Sequence, residues 1–147
     1  MGPIVNWGSD WGWGLPLIVL TVIIHSFGLG VINRRVPTVL VIAGRVPKFS
    51  VAAIMVTGWT AVGATMLHGF ECAIWAVSYR CLGAVPDNKS AMLYSLGAMT
   101  TYGHASLSLA PGWQLMGTLE ALNGWILFGL TTAFLFAVMQ KAWPAAG

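Results

Sequence analysis

Long charge-free apolar stretches, separated by short clusters of charge and turn residues, set the pattern of this chain. From Trp11 to Asn33 no residue is charged, and the run predicts a helix over about Leu15 to Ile32. Trp7, Trp11 and Trp13 precede it as an aromatic belt, and Pro16 falls in its first turn, where the missing N–H is no loss. Arg34, Arg35, Arg45 and Lys48, punctuated by Pro37 and Pro47, then predict a basic loop at a membrane surface. A second helix is expected from about Phe49 to Tyr79, with His68, Glu71 and Trp75 in its last third, Arg80 at its end and a turn from Gly83 to Asn88. Ser90 to Leu119 is again free of charge, but it does not read as one helix. Ser90 to Met99 predicts a short helix. Thr100, Thr101, Tyr102, Gly103, His104, Ala105 and Ser106 are polar and irregular, and Pro111-Gly112 closes the stretch. About ten apolar residues cannot cross ~30 Å of hydrocarbon, but they can enter partway and return. Irregular backbone at that depth is tolerated only where protein buries it or water lines it. A last helix runs from Trp113 or Leu115 to Met139, and Lys141 and Trp143 mark its exit.

Composition turns this pattern into a class. Of the 147 residues 57% are hydrophobic and 7% charged, against roughly 25% charged in soluble domains. So little charge cannot solvate a surface of this size, and lipid must cover the rest. The expected fold is an all-α membrane protein with three transmembrane helices plus a re-entrant helix and loop. The net charge of +3 is too small to suggest a nucleic acid partner. Under this topology Arg34, Arg35, Arg45, Lys48 and Lys141 fall on one side, and Arg80 and Lys89 on the other. The basic excess marks the first side as cytoplasmic, which puts the N-terminus and the re-entrant loop outside. No basic region precedes the first apolar run, so it reads as a retained helix rather than a signal peptide. The compact design suggests a bacterial plasma membrane.

Few residues carry candidate chemistry. Glu71 and Glu120 lie in apolar helices, where a carboxylate facing lipid costs about 2.5–3.5 kcal/mol, so both should face protein. They read either as struts bonding the short helix and its loop, or as hydrogen-bonded core carboxyls that hold helices together. His68 shares a helical face with Glu71 three residues on. The pair reads first as a satisfied polar contact. A metal site with His25 becomes thinkable if His25, His68 and Glu71 converge, although no dense ligand spacing supports one. A membrane enzyme or metal-binding subunit using these residues and His104 is the remotest alternative. Cys72 and Cys81 on one helix would lie about 13 Å apart at ~1.5 Å rise per residue, too far to pair, and read as two buried thiols. Gly124 and Gly129 offer either hinge points or close helix packing. Asn123 offers either a lining group or a bond to a neighbouring helix.

Glu71 and Trp75, the run Ala91 to Tyr94-Ser95, Thr100-Thr101 and Gly103, Trp113, Leu119-Glu120-Ala121, Asn123-Gly124 and Phe128-Gly129 together give the stretch from Phe70 to Gln140 a recognisable layout. It resembles the bacterial two-transmembrane potassium-channel family, with an additional N-terminal helix. The resemblance divides the chain into 1–48, the added helix and basic loop, and 49–147, a pore domain of outer helix, pore loop 90–112 and inner helix. It implies a homotetramer and passive conduction of monovalent cations, potassium among them, through a filter of residues 100–106. It also implies filter support from Glu71, Trp75 and Glu120, gating hinges at Gly124 and Gly129, no catalysis, and no cofactor beyond the ions. Such a filter replaces the ion's water shell with carbonyl rings, and the alternating backbone needs glycine at two positions. Here Gly103 keeps the first. His104, Ala105 and Ser106 stand where the family has an aromatic, the second glycine and an aspartate. A Cβ at position 105 disfavours the left-handed conformation by roughly 1–2 kcal/mol, so the outer ion sites are expected to be remodelled. A ring of His104 side chains would repel cations when protonated near neutral pH. The rival expectation is a non-conducting, channel-derived accessory subunit of a larger membrane complex.

Overall fold

In a computed structural model, which describes residues 7–43, 51–103 and 106–142, the chain forms four α-helices. They are α1 (Trp7–Ala43), α2 (Val51–Cys81), α3 (Asn88–Met99) and α4 (Gln114–Ala142), the last entered through a 3-10 turn at Pro111–Trp113. No strand occurs among the described residues.

Polar side chains fix the register of the long helices. Asp10 accepts the Met116 N–H at 3.0 Å, Asn123 donates to Thr21 at 2.8 Å, His25 meets Thr131 at 2.9 Å, and Lys141 donates to Asn33 at 3.1 Å. These links, taken in order, run down both helices together, so α1 and α4 are parallel. Helix α2 runs the other way. Val56 packs with Val36 and Val138 at one end, Glu71 meets His25 midway, and Tyr79 reaches Glu120 toward the other end. Trp75, Tyr79, Met99, Met116, Leu119 and Leu127 fill the core between these helices and α3.

The outer surface is apolar. Phe27, Trp59, Met66 and Trp125 are each more than 70% exposed, far more apolar surface than a soluble monomer presents. The stretches Gly8–Val36 and Pro111–Ala142 are long and apolar enough to cross a membrane. Only 22% and 28% of their most apolar windows are buried within the chain, so these helices turn their apolar residues outward rather than into a core.

Helix α3 departs from the end of the bundle where α2 finishes. Its N-cap is Asp87, whose carboxylate accepts the Ser90 N–H at 2.9 Å and the Ser90 hydroxyl at 2.6 Å. The Ser90 hydroxyl first, then the Ser90 amide, hold the Asp87 carboxyl below the usual range. The helix then runs alongside α4 and ends partway along the bundle. Thr101 closes it with φ of +57° and an N–H bond to the Ala98 carbonyl at 3.0 Å. That is a left-handed C-cap of the kind glycine usually provides, and for a β-branched residue it costs about 1–2 kcal/mol. Gly103, at φ of +67°, donates back to the Gly97 carbonyl at 3.0 Å. The chain then returns: the Ala110 N–H bonds the Ala84 carbonyl at 3.0 Å, and Leu109 is buried in the same cluster as Ala84 and Val85. Residues 85–109 therefore leave one end of the bundle and come back to it.

Two expectations are corrected. The first helix does not stop at Ile32; it continues through Arg34, Arg35 and Pro37 to Ala43, so the basic loop is helical over its first half. A proline inside a helix loses one backbone bond and strains the preceding turn, and against that cost Val36, just before Pro37, is buried against Val56 and Val138. Arg45 and Lys48 lie outside the described residues. Cys72 is a buried free thiol, but Cys81, expected to be buried, is exposed at the end of α2.

Candidate functional site

Glu120 binds three helices at one point. Its carboxyl accepts the Tyr79 hydroxyl of α2 at 2.6 Å and bonds the Ser95 hydroxyl of α3. Ser95 also reaches the Cys72 carbonyl of α2 at 2.8 Å. All of these groups are fully buried. Tyr79 is braced edge-on by Tyr94, with ring centroids 5.4 Å apart. Glu120 thus reaches the short helix directly and also ties α4 to α2.

Glu71 bonds elsewhere. Its partner is His25 of α1, with Nδ1 at 2.9 Å from one carboxyl oxygen and 3.2 Å from the other. The reason lies in the length of α3. That helix ends at Met99, whose sulfur sits 3.5 Å from the Cys72 thiol, so at the level of Glu71 it is α1 that faces α2. Trp75 is fully buried, and its indole N–H has no hydrogen-bond partner among the described residues. It packs in the main core cluster, with its ring centroid 6.1 Å from that of Tyr79.

The two glycines expected as hinges differ. A Cβ on Gly124 would overlap the Met99 carbonyl oxygen, so Gly124 lets the end of α3 lie directly on α4. Among the described residues nothing lies within 4 Å of such a Cβ on Gly129. Asn123 donates to Thr21 of α1, the neighbouring-helix alternative.

The loop after α3 lies on the outside of the single chain. Thr100, Thr101, Tyr102, Gly103 and Ser106 are exposed, and His104 and Ala105 lie outside the described residues. A hollow of about 440 Å³ lies between α3, the loop and α4, lined among others by Tyr94, Thr101, Gly103, Gln114 and Thr118. A second, of about 320 Å³, lies below the loop against Trp125, Phe128 and Gly129. The described loop residues therefore lie at the surface of the chain rather than in its core.

A second polar centre lies deeper, past the end of α3. His25, His68 and Glu71 converge with their ligand atoms within 4.8 Å of one another, and the His25 and His68 rings lie 4.9 Å apart. The hydroxyl of Thr131 on α4 touches both rings, at 2.9 Å from His25 Nε2 and 3.0 Å from His68 Nε2. Sequence reasoning does not single out Thr131, Tyr79, Ser95 or Asp10 as partners. For Asp10 a signal exists: an acid at the mouth of an apolar helix must find a donor, and the first turn of α4 offers free N–H groups. Which donor it finds depends on helix packing. Comparison of the chain with protein-family models, with curated proteins and with solved structures finds no match in any of the three.

Proposed function

We propose that the chain is the subunit of a potassium-channel-like cation conductor in a bacterial inner membrane. It would cross the bilayer three times, with α1, α2 and α4 as the spans, and assemble as a homotetramer. Residues 85–109 are its re-entrant segment. The observation that carries the reading is the excursion of that segment: it enters beside α4, stops partway at a polar loop and returns to Ala84. The strut at Glu120 and the close seat of Met99 on Gly124 hold the loop at that depth. One loop cannot enclose an axis, so four copies would bring Thr100 to Ser106 together and offer carbonyls in place of water. Arg34, Arg35 and Lys141 share one end of the bundle and Arg80 and Lys89 the other, and the basic excess supports a cytoplasmic assignment for the first end.

The test is ion flux in liposomes holding the purified chain. Potassium and sodium should both pass, and a bulky organic cation should not. Joint replacement of Ala105→Gly and Ser106→Asp should raise potassium over sodium flux, since it relieves about 1–2 kcal/mol per subunit at the second glycine position. The Cβ of Ala105 favours one other reading, a channel-derived accessory subunit. Absence of flux from both the native chain and the double variant supports that reading and removes the first.

A further inference from the structure

The cluster of His25, His68, Glu71 and Thr131 is not used by the conduction reading, and it lies beyond the tip of α3. We propose that His25, His68 and Glu71 form a binding site for one borderline divalent transition-metal ion, with Zn2+ the representative. The donor set is two imidazole nitrogens and one carboxylate, which suits zinc and its first-row neighbours rather than calcium or magnesium.

The geometry already has the form of a ligand set. Both Nδ1 atoms face the Glu71 carboxylate, His25 at 2.9 Å from Oε1 and His68 at 3.6 Å from Oε2. Donors of a tetrahedral zinc site, at 2.0–2.1 Å from the metal, lie about 3.3 Å from one another. The two histidine–carboxylate separations bracket that value, and the ligand atoms of all three residues lie within 4.8 Å of one another. His68 Nδ1 is buried without a hydrogen-bond partner, and 3.6 Å is too long for a bond to the carboxylate. A buried nitrogen of this kind calls for an occupant.

Thr131 explains why the nitrogens point as they do. Its hydroxyl oxygen has two lone pairs and lies at hydrogen-bond distance from both Nε2 atoms. When both Nε2–H groups donate to it, each ring turns a bare Nδ1 toward Glu71. A single shared proton can satisfy only one of those two nitrogens, whereas a cation between them satisfies both and the carboxylate together. Metal-bound histidines typically spend their second nitrogen on such an outer partner, and losing it weakens binding about 10- to 100-fold. Phe128 stacks on His68 at 4.5 Å and walls the site on that side. A hydroxide in the fourth position would bring the charge of the site to zero, and zinc lowers the pKa of bound water to about 7.

The test uses the full chain in detergent, stripped by a chelator and titrated with Zn2+. One ion per chain is expected. Glu71→Gln and His68→Gln should each abolish it, Thr131→Val should weaken it about 10- to 100-fold, and replacement of the exposed thiol by Cys81→Ser should leave it unchanged. Co2+ in the unaltered chain keeps the question decidable if a variant misfolds: the intense visible absorption of a four- or five-coordinate ion is expected. Failure to bind either ion, a weak six-coordinate aquo spectrum, or binding that survives all three substitutions overturns the proposal. None of these outcomes depends on whether the chain conducts.

Discussion

Glu120→Ala is expected to lower the unfolding free energy by about 3–5 kcal/mol, while Glu120→Gln loses less than about 1.5 kcal/mol. The alanine variant leaves the Tyr79 hydroxyl without its acceptor and Ser95 with one bond fewer, each loss worth about 1–3 kcal/mol in a buried site. It also opens a cavity where three helices meet, which adds to the loss. The glutamine variant keeps the volume. Ser95 has one hydroxyl hydrogen, and the Cys72 carbonyl at 2.8 Å can take it. The glutamine amide can then donate to Ser95 through its NH2 and accept from Tyr79 through its oxygen, so every bond is kept. Thermal or denaturant unfolding in detergent, followed by circular dichroism, measures both. Equal losses from the two variants would mean that the charge, not the bonding pattern, holds α3 in place.

Gly124→Val should cost at least about 2 kcal/mol and abolish ion flux, whereas Gly129→Ala should be neutral or stabilising by up to about 1 kcal/mol. At Gly124 the obstacle is the Met99 carbonyl oxygen. A backbone atom cannot rotate aside as a side chain can, so α3 itself must shift, and overpacking of this kind typically costs 1–3 kcal/mol. The shift would move Thr100 and Thr101, which follow Met99 directly. At Gly129 a Cβ meets nothing within 4 Å, and alanine is the better helix former by about 1 kcal/mol. Unfolding and liposome flux, measured on the same preparations, separate the two sites. A silent Gly124→Val would contradict the packing role given to that glycine, and a flux loss in Gly129→Ala alone would restore it as a hinge.

The sequence makes the helices legible because their apolar runs are long and their ends carry charge or proline. The short helix was readable over Ser90 to Met99, against Asn88–Met99 in the structure, since a turn precedes it and Thr100 begins a polar run. The far end of α1 was not readable. Arg34-Arg35 and Pro37 are strong stop signals locally, and only the burial of Val36 against α2 and α4 overrides them. The two glutamates show the same limit. Sequence says that each must face protein. Only the point where α3 ends decides that Glu120 meets Ser95 while Glu71 meets His25. Thr131 and Asp10 were illegible for a related reason: the contacts of Thr131 with His25 and of Asp10 with Met116 each span over a hundred positions along the chain, and the parallel register of α1 and α4 that joins them is a property of packing, not of either helix alone.

The proposed turn-back of residues 85–109 inside the bilayer can be tested by thiol labelling from one side of sealed, oriented vesicles. In a Cys81→Ser background, with Cys72 left buried, single cysteines at Lys89, Ser108 and Lys141 are exposed to a membrane-impermeant maleimide. Positions 89 and 108 should react from the same face, and position 141 only from the opposite one. Labelling of 89 and 108 from opposite faces would make the segment a continuous crossing, and the conduction reading would fall with it.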